Sequence, residues 1–207
     1  MLRKSSEALA RSYLDTLMDS SKLAVKFFLK DGSSFDHHTL VPLFHQWIQT
    51  HALADHLLID VADYRHVQSG PGTVLVAHEA NLSTDTAENR PGLLYARKTP
   101  IEGTLADRLR IVFQSALQAV SLMESAPSLA GAVRFRTDNP IFRINDRLFA
   151  PNSADTFTAV RPTIEAFLTK LYGAPVSLTH QPNPETVFEI RITAAGSPTT
   201  DELLKRL

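Results

Sequence analysis

The fold is decided by the segment from Leu57 to Leu82, which reads LLIDVADYRHVQSGPGTVLVAHEANL. Its two halves are apolar runs of strand length, and the Gly-Pro-Gly sequence at 70–72 combines a breaker with two permissive glycines. We therefore expect the chain to reverse there and to form neighbouring strands at 57–64 and 73–82. The first run is nearly continuous in apolar residues, which is typical of a central strand.

A strand and a helix are predicted upstream of this segment. Residues 24–30 form a compact apolar run, and residues 40–51 repeat apolar side chains at helical spacing. Thr39 is the expected N-cap of that helix, because Pro42 then falls in the first turn, where its missing N–H costs little. The succession of strand, helix and strand favours a right-handed crossover.

The segments downstream extend the sheet and add a second helix. Residues 93–98 form a fourth apolar run after a polar loop. Residues 104–123 show the clearest helical period in the chain, and Thr104 followed by Asp107 forms a variant of the capping box. Residues 4–19 also carry apolar side chains at approximately helical spacing.

The last third of the chain follows a boundary at residues 127–131. Alternating residues predict a hairpin over 141–150, and a helix is expected to run from a cap at Ser153 to a stop at Gly173. Pro162 lies inside that helical pattern, so we expect a kink or a new helix start there. Three further elements are predicted: strands at 176–181 and 187–192, which form a closing hairpin, and a short helix at 201–207.

These elements predict an α+β fold with a mixed, largely antiparallel sheet and helices packed on one of its faces. The chain is expected to form two α+β lobes in one compact unit. The N-terminal lobe spans residues 1–126 and contains the strand–helix–strand unit. The C-terminal lobe spans residues 127–207 and contains two hairpins and one long helix.

Composition and charge exclude several classes of function. The 207-residue chain has 21 Lys and Arg against 22 Asp and Glu, so it lacks the global positive field of a nucleic-acid binder. It has no cysteine, which excludes disulfides, a thiol nucleophile and a cysteine-ligated zinc site. No apolar run approaches the ~20 residues needed to cross a bilayer, and charged residues interrupt any signal peptide. We therefore expect a cytoplasmic protein without nucleic-acid or membrane partners.

Histidine is unusually concentrated, with seven of the eight residues between positions 37 and 78. A metal site commonly takes two histidines at i and i+4 of a helix or at alternate positions of a strand, and neither spacing occurs. Motifs for a nucleophilic serine, a dinucleotide or a phosphate-binding loop are also missing. We therefore expect structural or surface histidines and no cofactor.

Arginine alternates with phenylalanine around the predicted hairpin: Arg134, Arg136, Arg143 and Arg147 are interleaved with Phe135, Phe142 and Phe149. On a strand, this alternation separates the charges from the rings by placing them on opposite faces. Recognition of single-stranded RNA would need both on one face. The pattern therefore favours salt bridges to Asp138, to Asp146 or to a partner chain over nucleic-acid binding.

Asp60 is the strongest candidate for a functional residue. It interrupts the most apolar run, where a buried carboxylate must be paired, hydrogen-bonded or protonated. Its neighbours depend on the register of the two strands. If the numbers of opposed residues add to an even value, Asp60 shares a face with Tyr64, His66 and His78, and if the sum is odd it shares that face with Glu79. We expect Asp60 and His78 to be buried and hydrogen-bonded.

Two functions agree with these observations. The first is a non-catalytic binding or assembly module that has a homodimer partner or a small-molecule ligand. The second is a small-molecule enzyme, with or without a metal, that uses a histidine and a carboxylate as acid and base. The catalytic candidates are Asp60, His78 and Glu79, and the ligand-binding candidates are Tyr64, His66 and Asn81. A purely structural interpretation of Asp60, in which a loop or a helix end binds its carboxylate, is the alternative to both.

Overall fold

The computed structural model describes residues 22–68 and 70–207. The helix predicted over residues 4–19 lies outside these ranges. Within them, eight strands form one sheet: β1 (Leu23–Phe28), β2 (Leu58–Asp63), β3 (Thr73–Ala77), β4 (Ala80–Ser83), β5 (Gly92–Arg97), β6 (Ile141–Ile144), β7 (Val176–Thr179) and β8 (Phe188–Ala194).

The strand order from edge to edge is β2-β3-β4-β5-β1-β6-β8-β7. Each neighbouring pair in this order is antiparallel, which confirms the α+β class with its largely antiparallel sheet. β1 and β2 run in the same direction but are separated by three strands, so the predicted crossover joins strands that do not touch. β1 pairs with both β5 and β6, and the strands of residues 1–126 and 127–207 therefore belong to one sheet.

Four helices are described: α1 (His37–Thr50), α2 (Leu105–Ser125), α3 (Ala154–Tyr172) and α4 (Thr200–Leu204). The predicted capping box of α2 is confirmed, because the Thr104 hydroxyl accepts the N–H of Asp107 and the Asp107 carboxylate accepts the N–H of Thr104. α3 follows the predicted cap at Ser153 and ends at Gly173, whose φ of 69° is one that glycine adopts without strain.

The N-cap of α1 is Asp36, and the prediction of Thr39 is wrong. The Asp36 carboxylate accepts hydrogen bonds from the His38 N–H and from the Thr39 hydroxyl. This cap satisfies donors at the helix start and offsets the cost of placing Pro42 deeper in the helix. His37 and His38 therefore belong to the first turn of α1.

The single strand predicted over residues 73–82 is a hairpin. β3 ends at Ala77, β4 begins at Ala80, and the two strands pair around a two-residue turn formed by His78 and Glu79. The prediction was wrong because apolar residues continue on both sides of the turn, and neither turn residue is one of the types that usually mark a hairpin.

Residues 147–150 do not form the strand predicted for them. They belong to a turn after β6, in which Arg147, Leu148 and Phe149 are exposed. β6 already has β1 and β8 as its neighbours, so no position beside it is left for a returning strand.

Pro162 does not divide α3, which is one helix of 19 residues. Pro162 has no backbone N–H, so the carbonyl of Thr158, four positions earlier, lacks its helical hydrogen-bond donor. Both residues are exposed, so the unpaired carbonyl lies at the solvent side of the helix.

The two faces of the sheet differ in character. Leu23, Val25 and Phe27 of β1 enter a hydrophobic core together with apolar residues of α1, α2 and α3. Because side chains alternate along a strand, Lys26 lies on the opposite face. The strand register places the charged residues of β6 and β8 on that same opposite face.

Candidate functional site

A buried ion pair lies near the middle of the sheet, on the face away from the helices. Lys26 is 1% exposed, and its Nζ lies 2.8 Å from Oδ2 of Asp85, in the loop after β4. The other oxygen of Asp85 accepts the N–H of Ala87 at 3.0 Å. Burial lowers the pKa of Lys26, whereas the hydrogen bond and the charge of Asp85 act against that shift. Asp85 therefore stabilises the charged form of Lys26.

The ion pair continues as a network across β6 and β8. Nη1 of Arg143 lies 4.0 Å from Oδ2 of Asp85, and Nε of Arg143 donates to Glu189 at 2.8 Å. Nε of Arg191 lies 3.3 Å from the other oxygen of Glu189, and Nη2 of Arg191 donates to Glu88 at 2.9 Å. The bond from Arg191 lowers the pKa of Glu88. Each carboxylate of the network thus contacts at least one cation.

Part of the predicted arginine pairing is confirmed. Arg136 forms a salt bridge to Asp138 at 3.0 Å. Arg134 and Arg147 instead donate to backbone carbonyls, and Arg143 uses a carboxylate of a neighbouring strand. These arginines therefore belong to the intramolecular bonding of the fold.

One end of the network borders a pocket of about 680 Å³, here named the polar pocket. Small-molecule sites commonly have volumes of ~300–1,000 Å³, although most are more apolar than this one. The lining comes from β6, β7, β8, the loop after β7 and two loop segments: Glu88, Arg143, Asn152, Thr179, Gln181, Pro182, Asn183, Pro184, Thr186, Val187, Glu189 and Arg191.

His180 holds one wall of the polar pocket in place. Its ring stacks on Phe157 with the centroids 5.0 Å apart, and it lies at the same distance from the ring of Phe188. Asn152 donates through Nδ2 to Thr186 at 2.8 Å, so its Oδ1 is the group that accepts from His180 Nε2 at 2.6 Å. Both ends of the Asn152 amide are therefore engaged by other residues of the described chain.

Asp60 lies at an edge of the sheet, and the prediction that it is buried in a central strand is wrong. β2 is an outer strand, and Asp60 is exposed. The carboxylate of Asp60 accepts the N–H of Val61 at 2.7 Å. That N–H points away from β3, because the N–H of Tyr64 bonds to Gly72 and the direction alternates along a strand. Asp60 thus covers a donor of the open edge, and that donor belongs to its own strand, not to the loop or helix end that the structural interpretation expects.

The structure places the other predicted residues on several elements. The register is even along Asp60–Asp63, where Asp60 opposes Val76, and it shifts between Leu58 and Asp60, so that Leu58 opposes Ala77. His78 nevertheless lies beyond the end of β3 in the hairpin turn, and it is exposed, so the prediction that it is buried is wrong. Tyr64 and His66 follow β2 in an exposed turn, with their ring centroids 6.5 Å apart.

Glu79 and Asn81 lie on the β3–β4 hairpin. The Glu79 carboxylate accepts the N–H of Leu57 at 2.8 Å, which ties the hairpin turn to the start of β2. Partial burial opposes ionisation of Glu79, but the Leu57 bond and nearby histidine charge outweigh it, so the pKa of Glu79 lies below its usual value. Oδ1 of Asn81 is buried and has no hydrogen-bond partner in the described structure.

Sequence reasoning missed a buried histidine between α1 and β2. Nε2 of His56 lies 2.9 Å from the hydroxyl of Tyr95, a fully buried residue of β5. Nδ1 of His56 is buried without a hydrogen-bond partner among the described residues. The two residues are 39 positions apart, so no local spacing rule identifies the pair.

Stability is expected to fall as the pH is lowered below the ordinary histidine pKa of 6.5. Burial lowers the pKa values of His37, His56 and His180 in the folded chain. Below pH 6.5 the unfolded chain binds protons that the folded chain does not. The free energy of unfolding therefore has its full value above pH 6.5 and declines as the pH falls towards the histidine pKa values of the folded chain. Urea denaturation at a series of pH values measures this slope. His56→Gln, which has no titrating group, is expected to reduce the slope, and an unchanged slope would contradict the role of His56.

Within residues 22–68 and 70–207, no group of three or more histidine, aspartate or glutamate side chains is arranged to hold a metal ion. No helix in the same part of the chain has the length and apolar character needed to span a bilayer. Comparison with protein-family models, curated proteins and solved structures finds no match. The function must therefore be argued from the geometry of the chain itself.

Proposed function

We propose that the protein is a non-catalytic binding module whose polar pocket takes a small ligand with a carboxylate or an equivalent acceptor group. The state of Arg143 carries this proposal. Its Nε is bound to Glu189, but its terminal nitrogens have no hydrogen-bond partner in the described structure, and the Asp85 oxygen opposite Nη1 is 4.0 Å away. A guanidinium group presents parallel N–H donors that match the two oxygens of a carboxylate.

Other groups of the lining also favour a ligand rich in acceptors. Both oxygens of Glu189 contact arginines, and one oxygen of Glu88 accepts from Arg191, so these carboxylates are largely used within the protein. Oδ1 of Asn183 accepts the N–H of Glu185, which leaves the Asn183 amide nitrogen as a donor. Gln181 is exposed at the same loop and can turn its amide towards a ligand.

The charge balance of the lining limits the charge of the ligand. Two arginines face two glutamates, so the lining has no excess positive charge to hold a polyphosphate or a nucleic acid. A molecule with one carboxylate, or a zwitterion such as an amino acid, agrees with this balance. The engagement of His180 Nε2 with Asn152 supports a structural role for that ring, and hence a non-catalytic pocket.

Replacing Arg143 by lysine is expected to weaken ligand binding by about tenfold, equivalent to ~1.4 kcal/mol. Lysine keeps the charge but loses the parallel pair of N–H donors. Isothermal titration calorimetry with a panel of amino acids and small monocarboxylates measures the effect. Thr193→Val, an exposed position of β8 outside the lining, is the control. The proposal is wrong if no member of the panel binds the unmodified protein, or if Arg143→Lys binds as tightly.

Assembly through β2 is a second candidate function, and the distribution of exposed apolar residues favours it. Leu57 (59% exposed), Ile59 (54%), Tyr64 (44%) and Val67 (44%) all lie in or beside this outer strand. Exposed apolar side chains along an open strand edge are typical of surfaces that pair with another chain. A two-fold homodimer is the simplest such assembly.

A dimer of this kind is expected to dissociate when Leu57 and Ile59 are both replaced by lysine. Two charged side chains at the edge remove apolar contact area and repel their copies in the partner. Light scattering at micromolar concentration measures the change in mass. Leu148→Lys, at an exposed apolar position far along the chain, is the control. A strict monomer of the unmodified protein would contradict this second function.

A further inference from the structure

We infer that a second cavity, between α2, α3 and the residues after α4, binds a free amphiphile with a single anionic headgroup, such as a medium-chain alkyl carboxylate. The cavity has a volume of about 530 Å³ and is here named the helix cavity. It shares no lining residue with the polar pocket, so this inference is independent of the proposed function.

The inner part of the helix cavity is apolar. Phe167 and Leu171 of α3 line it, and the ring of Phe167 lies 5.3 Å from the ring of Phe113, which belongs to the hydrophobic core. Ala106 of α2 and Ala166 of α3 line it as well, at exposed positions with small side chains. An alkyl chain in this space would continue the apolar packing of the core.

Cations surround the cavity. Its lining contains the side chains of Arg110, Lys170 and Arg206 against a single side-chain carboxylate, that of Asp107. Asp107 is committed to the cap of α2, where it accepts from the N–H and the hydroxyl of Thr104 at 2.9 and 2.6 Å. Arg110 and Lys170 take part in none of the ion pairs of the described chain. Arg110 interacts electrostatically with Asp107 without forming a direct ion pair, and the three cationic side chains of the lining exceed its one side-chain carboxylate by two charges. An anionic headgroup would therefore meet an excess of positive charge.

Arg206 is positioned before a ligand arrives. Its Nη1 donates to the carbonyl oxygen of Tyr172 at 2.7 Å and lies 3.4 Å from that of Leu171, at the end of α3. The charge and the apolar surface thus lie within one cavity of small-molecule size. This combination favours a free amphiphile over a membrane surface or a protein partner, each of which would need a broader complementary face.

Isothermal titration calorimetry of the full chain with sodium decanoate, below its micelle concentration, tests this inference. Decanoate is expected to bind, whereas decyltrimethylammonium, with the same chain and the opposite charge, is not. Acetate, which is the headgroup without the chain, is expected not to compete. The double variant Arg110→Ala/Lys170→Ala is expected to bind decanoate at least tenfold more weakly. Arg161→Ala, an exposed cation of α3 outside the lining, is the matched control.

Two further variants make the result specific to the helix cavity. Ala166→Phe is expected to abolish decanoate binding by filling the apolar part, with circular dichroism to confirm that the variant folds. Thr193→Val, an exposed position outside both linings, is expected to leave decanoate binding unchanged. The inference is overturned if decanoate does not bind, if the cationic analogue binds as tightly, or if acetate competes equally. Full binding by the double variant, or by Ala166→Phe, would place decanoate elsewhere and overturn it as well.

Discussion

Replacing Asp85 by alanine is expected to lower the free energy of unfolding by about 3–5 kcal/mol. The change leaves the ammonium group of Lys26 buried in the sheet without its 2.8 Å partner. Of the other charged neighbours, Arg143 is a cation and disfavours the charged form of Lys26, whereas Glu88 favours that form more weakly. The ring of Phe28, 5.0 Å from Nζ, offers a much weaker interaction than a carboxylate. Chemical denaturation measures the loss.

Lys26→Met is the matched control for the Asp85 variant. It removes the buried cation, and Asp85 keeps the N–H of Ala87 and the nearby charge of Arg143, so the loss of stability is expected to be smaller. The deficit of Asp85→Ala should also shrink as the pH is raised towards 10.5, the ordinary lysine pKa, because the folded chain then holds a neutral amine more readily. Equal losses of stability in Asp85→Ala and Lys26→Met would contradict the expectation that Lys26 becomes an unpaired buried charge. A loss in Asp85→Ala that does not change with pH would contradict it as well.

Gly92→Ala is expected to cost about 1–3 kcal/mol of stability through overpacking. Gly92 opposes Phe28 where β5 pairs with β1. A Cβ at this position would overlap the carbonyl oxygen of Phe27 and lie 3.0 Å from Cε of Lys26. The absence of a side chain thus lets the buried Lys26 extend across β5 towards Asp85.

Ala96→Gly is the comparison for the Gly92 variant, because both positions lie on the same face of β5. Removing a Cβ from a strand interior is expected to cost ~0.5–1 kcal/mol, mainly through backbone entropy. The two losses therefore have different causes, and chemical denaturation of both variants compares them. Unchanged stability of Gly92→Ala would show that β5 and β1 accommodate the added Cβ without cost. That result would contradict the expected overlap of this Cβ with the Phe27 carbonyl oxygen.

The helices were predictable because their determinants are local. The Thr104–Asp107 cap and the Gly173 stop act over a few residues, so reading the sequence locates them directly. α1 shows where this reading is weak. Asp36 and Thr39 are both of residue types that commonly cap helices. In the structure Asp36 is the cap, and its two oxygens accept from the His38 N–H and the Thr39 hydroxyl.

The candidate site was less predictable, because apolar runs occur both in buried central strands and in outer strands with exposed side chains. The run at 57–64 resembles a central strand, yet β2 is an outer strand and Ile59 is exposed. Burial of Asp60 was inferred from that run and was wrong for the same reason. The alternation along β6 correctly predicted that Arg143 and Phe142 lie on opposite faces of the sheet. It did not predict that Glu189 of β8 lies opposite Arg143.

By itself, the sequence determined the α+β class, the positions of most helices and strands and the near-neutral charge, since each follows from composition or from local periodicity. Tertiary structure alone decided which side chains meet. Lys26 and Asp85 are 59 positions apart, and Arg143 and Glu189 are 46 positions apart. Contacts over such separations depend on strand order and register, and a change of register by one residue would turn these side chains to the opposite face of the sheet.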